Sequence, residues 1–165
     1  MGKPILLPHG MGVRAECRSG ESVSVIKDPV KDLPGYALRR VSAALMSRLA
    51  ARLARLDLRP AEATVLLVIA ANPGVTQSEI GRFLGIVSAN MAPLAARLAE
   101  RDLIIRQAVD GRSQGLTLSE AGRRTAQRAR SIMDDLEAEL LARIPKADCA
   151  AFMRVLHALA NNKGA

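Results

Sequence analysis

The chain has 165 residues, 49% of them hydrophobic, enough for one well-built core and too few for two. Its 24 Lys and Arg against 16 Asp and Glu leave a formal charge of +8, which suits a polyanionic partner, while 2% aromatic content argues against single-stranded nucleic acid, held by base stacking. No apolar run approaches the roughly 18 residues of a membrane span, and the start lacks the apolar segment of a signal peptide, so the expected location is cytoplasmic with no membrane partner.

Residues 1–32 mix Pro, Gly and both signs of charge, with a breaker cluster at His9-Gly10-Met11-Gly12. They are expected to form a flexible arm. From Leu33 the pattern becomes helical. Leu38, Val41, Leu45, Leu49, Leu53 and Leu56 recur at spacings of three and four, predicting one long helix to about Leu56. Arg59-Pro60 opens the next helix with proline at its first position, and Asn72-Pro73-Gly74 ends it.

The stretch from Thr76 to Leu118 is the most informative. Thr76 and Glu79 have capping-box spacing, Ile80, Phe83 and Leu84 make an apolar stripe, and Gly85 is placed to stop the helix. A second helix is predicted from about Ser88 to Arg101, with Met91, Leu94, Ala95 and Leu98 inward. Its outer face carries Ala89, Pro93 and Ala96, flanked by Asn90 and Arg97. Such a small face with one amide near the helix start suits the DNA major groove, where Asn can bond adenine. Pro93 predicts a kink or a loosened first turn. Asp110-Gly111 then predicts a two-residue hairpin turn in which Val109 faces Arg112, Ile105 faces Leu116 and Leu103 faces Leu118. A hairpin after two short helices, with an arginine at its tip, reads as a DNA-binding wing.

Ser119 caps a long helix expected to run from Glu120 to about Ala142, basic early (Arg123, Arg124, Arg128, Arg130) and apolar later. Ile144-Pro145 breaks it, and a last helix runs from about Lys146 to Ala160. No catalytic site emerges. His9 and His157 are the only histidines, and no nucleophile, metal-ligand or phosphate-loop pattern is present, so neither enzyme activity nor cofactor is expected. Cys17 and Cys149 lie too far apart for a disulfide framework, and Cys149 reads as a packing residue.

The run IGRFLGI, the helix SANMAPLAARLAERDLI, the wing tip DGRS, the strand LTL and the opening SEAGR together resemble the MarR family of bacterial regulators, over roughly Leu33 to Asn161. Asp102 stands where that family usually has glycine, and Pro93 where many members have a polar or basic residue. The resemblance implies a mainly α fold with a small β-hairpin wing. Residues 59–118 would form the winged helix-turn-helix lobe, and 33–58 with 119–165 a helical dimerisation region. The expected DNA-facing set is Thr76, Gln77, Ser78, Ser88, Ala89, Asn90, Pro93, Arg97, Asp110, Arg112 and Ser113. Family members bind small molecules, often aromatic carboxylates, where dimer helices meet the DNA-binding lobe. In this chain Tyr36, Arg39, Arg40 and Met46 are the candidates for such a ligand. The expected function is a homodimeric repressor on an inverted-repeat operator in double-stranded DNA, released by a small-molecule effector. A DNA-architectural protein without ligand and a helical protein-interaction module are the alternatives.

Overall fold

Pro34 and Pro60 open the first two helices, each at a position whose N–H a helix leaves unpaired. In the computed structural model, which describes residues 27–110 and 113–161, helix α1 spans Pro34–Leu53. A single 3-10 turn, Ala54–Leu56, ends it, so the long helix stops short of Leu56. Asp57 then turns the chain with φ +51°, and α2 follows over Pro60–Ala71. The arm proposed for residues 1–32 falls almost wholly outside the described residues. Its last part folds against α1, with Asp28 accepting from the Val30 N–H at 3.1 Å and lying 3.7 Å from Arg40.

Strand β1 (Val75–Thr76) leads into α3 (Gln77–Leu84) and α4 (Ser88–Glu100). The α3–α4 turn is the predicted one. Gly85 takes φ +67°, and the Ile86 N–H donates to the Gly81 carbonyl at 2.8 Å. Met91, Ala95 and Leu98 are buried along α4, which is the predicted stripe. Helix α4 runs unbroken through Pro93. Its first turn is tightened instead, the Val87 carbonyl accepting from both Asn90 (2.9 Å) and Met91 (3.1 Å).

Strands β2 (Ile104–Asp110) and β3 (Ser113–Leu118) form the hairpin, and β1 adds to β3, giving a three-stranded antiparallel sheet in the order β1-β3-β2. The register differs from the predicted one by a residue. Ile104 pairs with Leu118, Ile105 with Thr117 and Arg106 with Leu116. Asp110 is the last residue of β2 and pairs with Ser113, so it belongs to the strand rather than to the predicted Asp110-Gly111 turn, while residues 111–112 lie outside the described residues. A bulge between Ala108 and Asp110 absorbs the odd residue. The cause is the unbroken apolar run Leu103-Ile104-Ile105, which fits either register. Leu103 is buried before the strand begins, Ile104 takes the inward place beside Leu118, and Ile105 is left 46% exposed.

Helix α5 (Glu120–Leu141) starts at Ser119, whose hydroxyl accepts from the Gly122 N–H at 2.9 Å. Helix α6 (Cys149–Asn161) begins three residues later than expected, after a turn closed by Asp148 N–H on the Pro145 carbonyl. One core unites the end of α1 with α2, α3, α4, the hairpin and α5 around Leu53, Leu66, Ile69, Ile80, Leu98 and Leu116. Outside it, Leu38, Val41 and Met46 on α1 and Met153, Val155 and Leu159 on α6 are exposed, and α6 has no buried residue. Glu139 on α5 ties the two long helices together, accepting from Arg48 and, at 2.6 Å and 2.8 Å, from Arg52.

Candidate nucleic-acid interface

Helices α3 and α4 meet near Gly81, where a Cβ would stand 3.0 Å from the Ile86 carbonyl and 3.9 Å from the Met91 side chain, a tight but nearly tolerable fit. Between them lies a groove of about 390 Å³ lined by Gln77, Ser78, Arg82, Val87 and Ser88. Ser88, Ala89 and Asn90, the first turn of α4, are exposed beside it. Four N–H groups at a helix start lack intrahelical partners and carry partial positive charge, so this corner favours an anion as well as a base edge.

The predicted DNA-facing residues divide by what already holds them. Thr76 is a cap. Its hydroxyl accepts from the Glu79 N–H at 3.3 Å and donates to Glu79 Oε2 at 2.7 Å, and its own N–H donates there at 2.8 Å. The Thr76 N–H and hydroxyl hold the Glu79 carboxyl below its ordinary range, with Arg82 adding to the effect. The cap thus uses the Thr76 proton, and the exposed Ser78 and half-buried Gln77 beside it face the groove. Pro93 is exposed on the outer face of α4. Arg97 already has a partner, its guanidinium 2.9 Å from Oε1 of Glu62, a carboxylate 2% exposed. Asp110 and Ser113 face each other at the wing tip. Arg112, like Gly111, lies outside the described residues.

Two features escaped the sequence reading. Arg82 is exposed on α3 and shares the groove with Ser88, a position visible only once the α3–α4 angle is known. Glu62 reads as an ordinary first-turn acid, and it does accept from the Arg59 N–H at 2.7 Å. Its burial and its link to α4 needed the packing. The early arginines of α5 are largely committed locally. Arg123 and Arg124 pair with Glu120, and Arg130 with Asp134, leaving Arg128 without an ion pair among the described residues. Those two arginines hold the Glu120 carboxyl below its ordinary range, Arg123 by hydrogen bond most of all.

A second cavity, about 630 Å³, opens where α2 meets the base of the wing and α5. Leu67, Ala70, Ile105 and Ala126 give it apolar walls, and Gln107, Gln127, Arg123 and Arg130 supply polar groups. Tyr36, Arg39, Arg40 and Met46 are elsewhere. Arg39 stacks on the Tyr36 ring at 4.8 Å, Arg40 faces Asp28, and Met46 is exposed. Among the described residues no group of three His, Cys, Asp or Glu is placed to hold a metal, and no helix is long and apolar enough to cross a membrane.

The geometry is that of a winged helix-turn-helix, and comparison with known proteins agrees. The sequence model of the MarR family matches residues 56–113. The HTH-type transcriptional repressor Rv2887 of Mycobacterium tuberculosis is 30% identical over 130 residues, covering 78% of this chain and 94% of its own. The chain belongs to the MarR family. This MarR-family chain is also similar to the transcriptional repressor CouR bound to a 23-mer DNA duplex, with TM-score 0.75 and 32% identity, covering 84% of this chain and 100% of that one. CouR bound to p-coumaroyl-CoA gives 0.74 and 30%, over 83% and 98%. The Rv2887 protein in complex with salicylic acid gives 0.64 and 31%, over 79% and 98%. As a MarR-family member the protein is a DNA-binding transcriptional regulator and not an enzyme.

Proposed function

We propose that this MarR-family protein is a cytoplasmic homodimeric repressor that reads an inverted-repeat operator through α4 and is released by an aromatic acid or its thioester. The observation that carries the DNA half is the first turn of α4. Ser88, Ala89 and Asn90 are exposed and short, with Ala89 on the outer face and Asn90 on its flank, while Met91, Ala95 and Leu98 anchor the helix in the core. Asn90 is the base-reading group, bonding adenine, with Ala89 against a thymine methyl. Gln77, Ser78, Arg82 and Ser88 meet the flanking phosphates, and Arg112 of the wing meets the backbone or the minor groove. Residues 59–118 make up this lobe. Residues 33–58 and 119–165 form the dimer, which the apolar residues left exposed on α1 and α6 support.

The ligand half rests on the cavity between α2, the wing base and α5, whose apolar walls and rim arginines suit a ring bearing an anionic group. Relatives bound to salicylic acid and to p-coumaroyl-CoA point to the same chemistry. Tyr36, Arg39, Arg40 and Met46 join the site only if the partner in a dimer brings its α1 across the opening. Gel shift with DNA flanking the gene tests the DNA half, with half-sites expected roughly 34 Å apart. Loss of the shift on adding salicylate, cinnamate or a cinnamoyl thioester tests the other half. A shift that ignores the inverted repeat and every such compound would instead mark an architectural protein.

A further inference from the structure

Arg97 lies in the last turn of α4, and Arg101, four positions on, is the residue that caps the helix C-terminus. Neither guanidinium is free. Arg97 lies 2.9 Å from Oε1 of Glu62, whose other oxygen accepts from the Arg59 N–H at 2.7 Å. The Glu62 side chain is 3% exposed, so the Arg97 guanidinium and the Arg59 N–H are what offset the burial of its carboxyl group. Arg101 donates to the Leu56 carbonyl at 3.0 Å and to the Asp57 carbonyl, groups that the 3-10 turn at the end of α1 leaves without helical partners. Among the described residues no buried side-chain nitrogen or oxygen lacks a partner.

We propose that Arg97 and Arg101 are positioning residues, which set the pitch of α4 by clamping its C-terminal half to the α1–α2 junction, with Glu62 as the buried anchor. The two arginines do not touch DNA. They fix how far the first turn of α4 enters the major groove, and so act through Asn90. The inference rests on the reading of that first turn as the base-reading element. Its mechanical content is that the junction between α1 and α2 and the recognition helix move as one body.

A phosphate contact and a clamp respond differently to salt. Arg97→Gln is compared with the parent by titrating an operator duplex and a scrambled duplex over a range of salt concentrations, with folding monitored by circular dichroism. The clamp predicts at least about a tenfold loss of operator affinity, little change on scrambled DNA, and an unchanged slope of log affinity against log salt. Arg101→Gln should behave alike. Were Arg97 a phosphate ligand, the slope would shrink by about 2 per dimer and both duplexes would weaken together, which overturns the proposal. Glu62→Gln serves as the second variant. It leaves a potential phosphate contact intact, yet should reproduce the operator loss. The Glu62→Gln/Arg97→Gln double variant, which removes both charges at once, should bind no worse than Arg97→Gln alone. Full operator affinity in Glu62→Gln, or additive losses in the double variant, also overturns the clamp. An Asn90→Ala control separates this inference from the reading beneath it. If Asn90→Ala relaxes base preference while Arg97→Gln reduces the salt slope, only the clamp falls.

Discussion

Gly122 offers the sharpest test of how α5 is joined to the wing. A Cβ built there would lie 1.9 Å from the Leu103 carbonyl oxygen and 2.9 Å from its carbon. Both neighbours are backbone, so no rotamer change relieves the contact, and the strand entry has to retreat by roughly 1 Å. That same oxygen accepts from the Ser119 N–H at 3.1 Å, and the Ser119 hydroxyl caps α5 through Gly122 while donating to the Asp102 carbonyl. Gly122→Ala therefore adds an overpacking cost of ~1–3 kcal/mol and strains three hydrogen bonds worth ~1 kcal/mol each. The expected destabilisation is ~3–5 kcal/mol, a large part of a domain's usual ~5–15 kcal/mol. Urea unfolding followed by circular dichroism, at one fixed protein concentration, measures it. Gly81→Ala is the internal comparison. Its Cβ would sit 3.0 Å from the Ile86 carbonyl, and helix propensity returns up to ~1 kcal/mol, so the net change should stay within about 1 kcal/mol. A Gly122→Ala protein within ~1 kcal/mol of the parent would refute the close-approach reasoning.

Three further outcomes follow from named contacts. Asn90→Ala should relax preference at one base-pair position, by ~1–3 kcal/mol of discrimination, and spare binding to scrambled DNA; a binding-site selection returning the parent's site counts against it. The Glu139 carboxyl is held below its ordinary value of 4.5, first by the Arg52 hydrogen bond and then by the charges of Arg52 and Arg48. A depressed folded pKa gives stability that is present above pH 4.5 and is lost as pH falls through the folded value. Glu139→Gln should therefore unfold at lower urea than the parent near neutral pH and converge with it in acid; curves that stay parallel at all pH values exclude the linkage. Asp102 holds φ +53°, where a side chain is strained, so Asp102→Gly should raise the thermal midpoint, by up to ~1 kcal/mol in free energy, and a lowered midpoint rejects the strain.

Local signals reached far into this fold because most of its boundaries are set by residues with one job. Pro60, Thr76, Gly85 and Ser119 start or stop elements where the sequence places them. The predicted inward stripe of α4 is the buried one. The hairpin register was not legible. Leu103, Ile104 and Ile105 offer no alternation, and the bulge before Asp110 leaves no local mark. Strand β1 is two residues long and exists only because β3 is there to pair with it. Pro93 does not end α4: the helix continues through it, although Pro93 has no N–H to offer the Ala89 carbonyl. The site divides the same way. Exposure of Ala89, Asn90 and Pro93 was legible from the helical period, whereas the buried state of Glu62 and the grip of Asp57 and Leu56 on Arg101 depend on contacts some 35–45 residues apart.

The proposed ligand cavity and the first turn of α4 do not touch, so a ligand there would act on that turn only through elements linked to both. The wing, which also lines the cavity, is one such element, and helix α2, which reaches α4 through Glu62 and Arg97, is another. Leu67 and Ala70 line the cavity, while Glu62, about 7.5 Å earlier along the same helix, holds Arg97 of α4. A ligand that prefers a displaced α2 carries the anchor with it and tilts the recognition helix. A tenfold loss of operator affinity needs ~1.4 kcal/mol of such preference, and operator must then weaken the ligand by the same factor. Arg97→Gln cuts the link without altering the cavity, so it should leave ligand affinity for the DNA-free protein unchanged and abolish most of the mutual weakening. Isothermal calorimetry with a ligand that releases the parent, in the presence and absence of operator, reads both quantities. If the ratio of the two ligand affinities is the same in Arg97→Gln as in the parent, coupling does not pass through Glu62 and Arg97, and the wing or the dimer helices carry it instead.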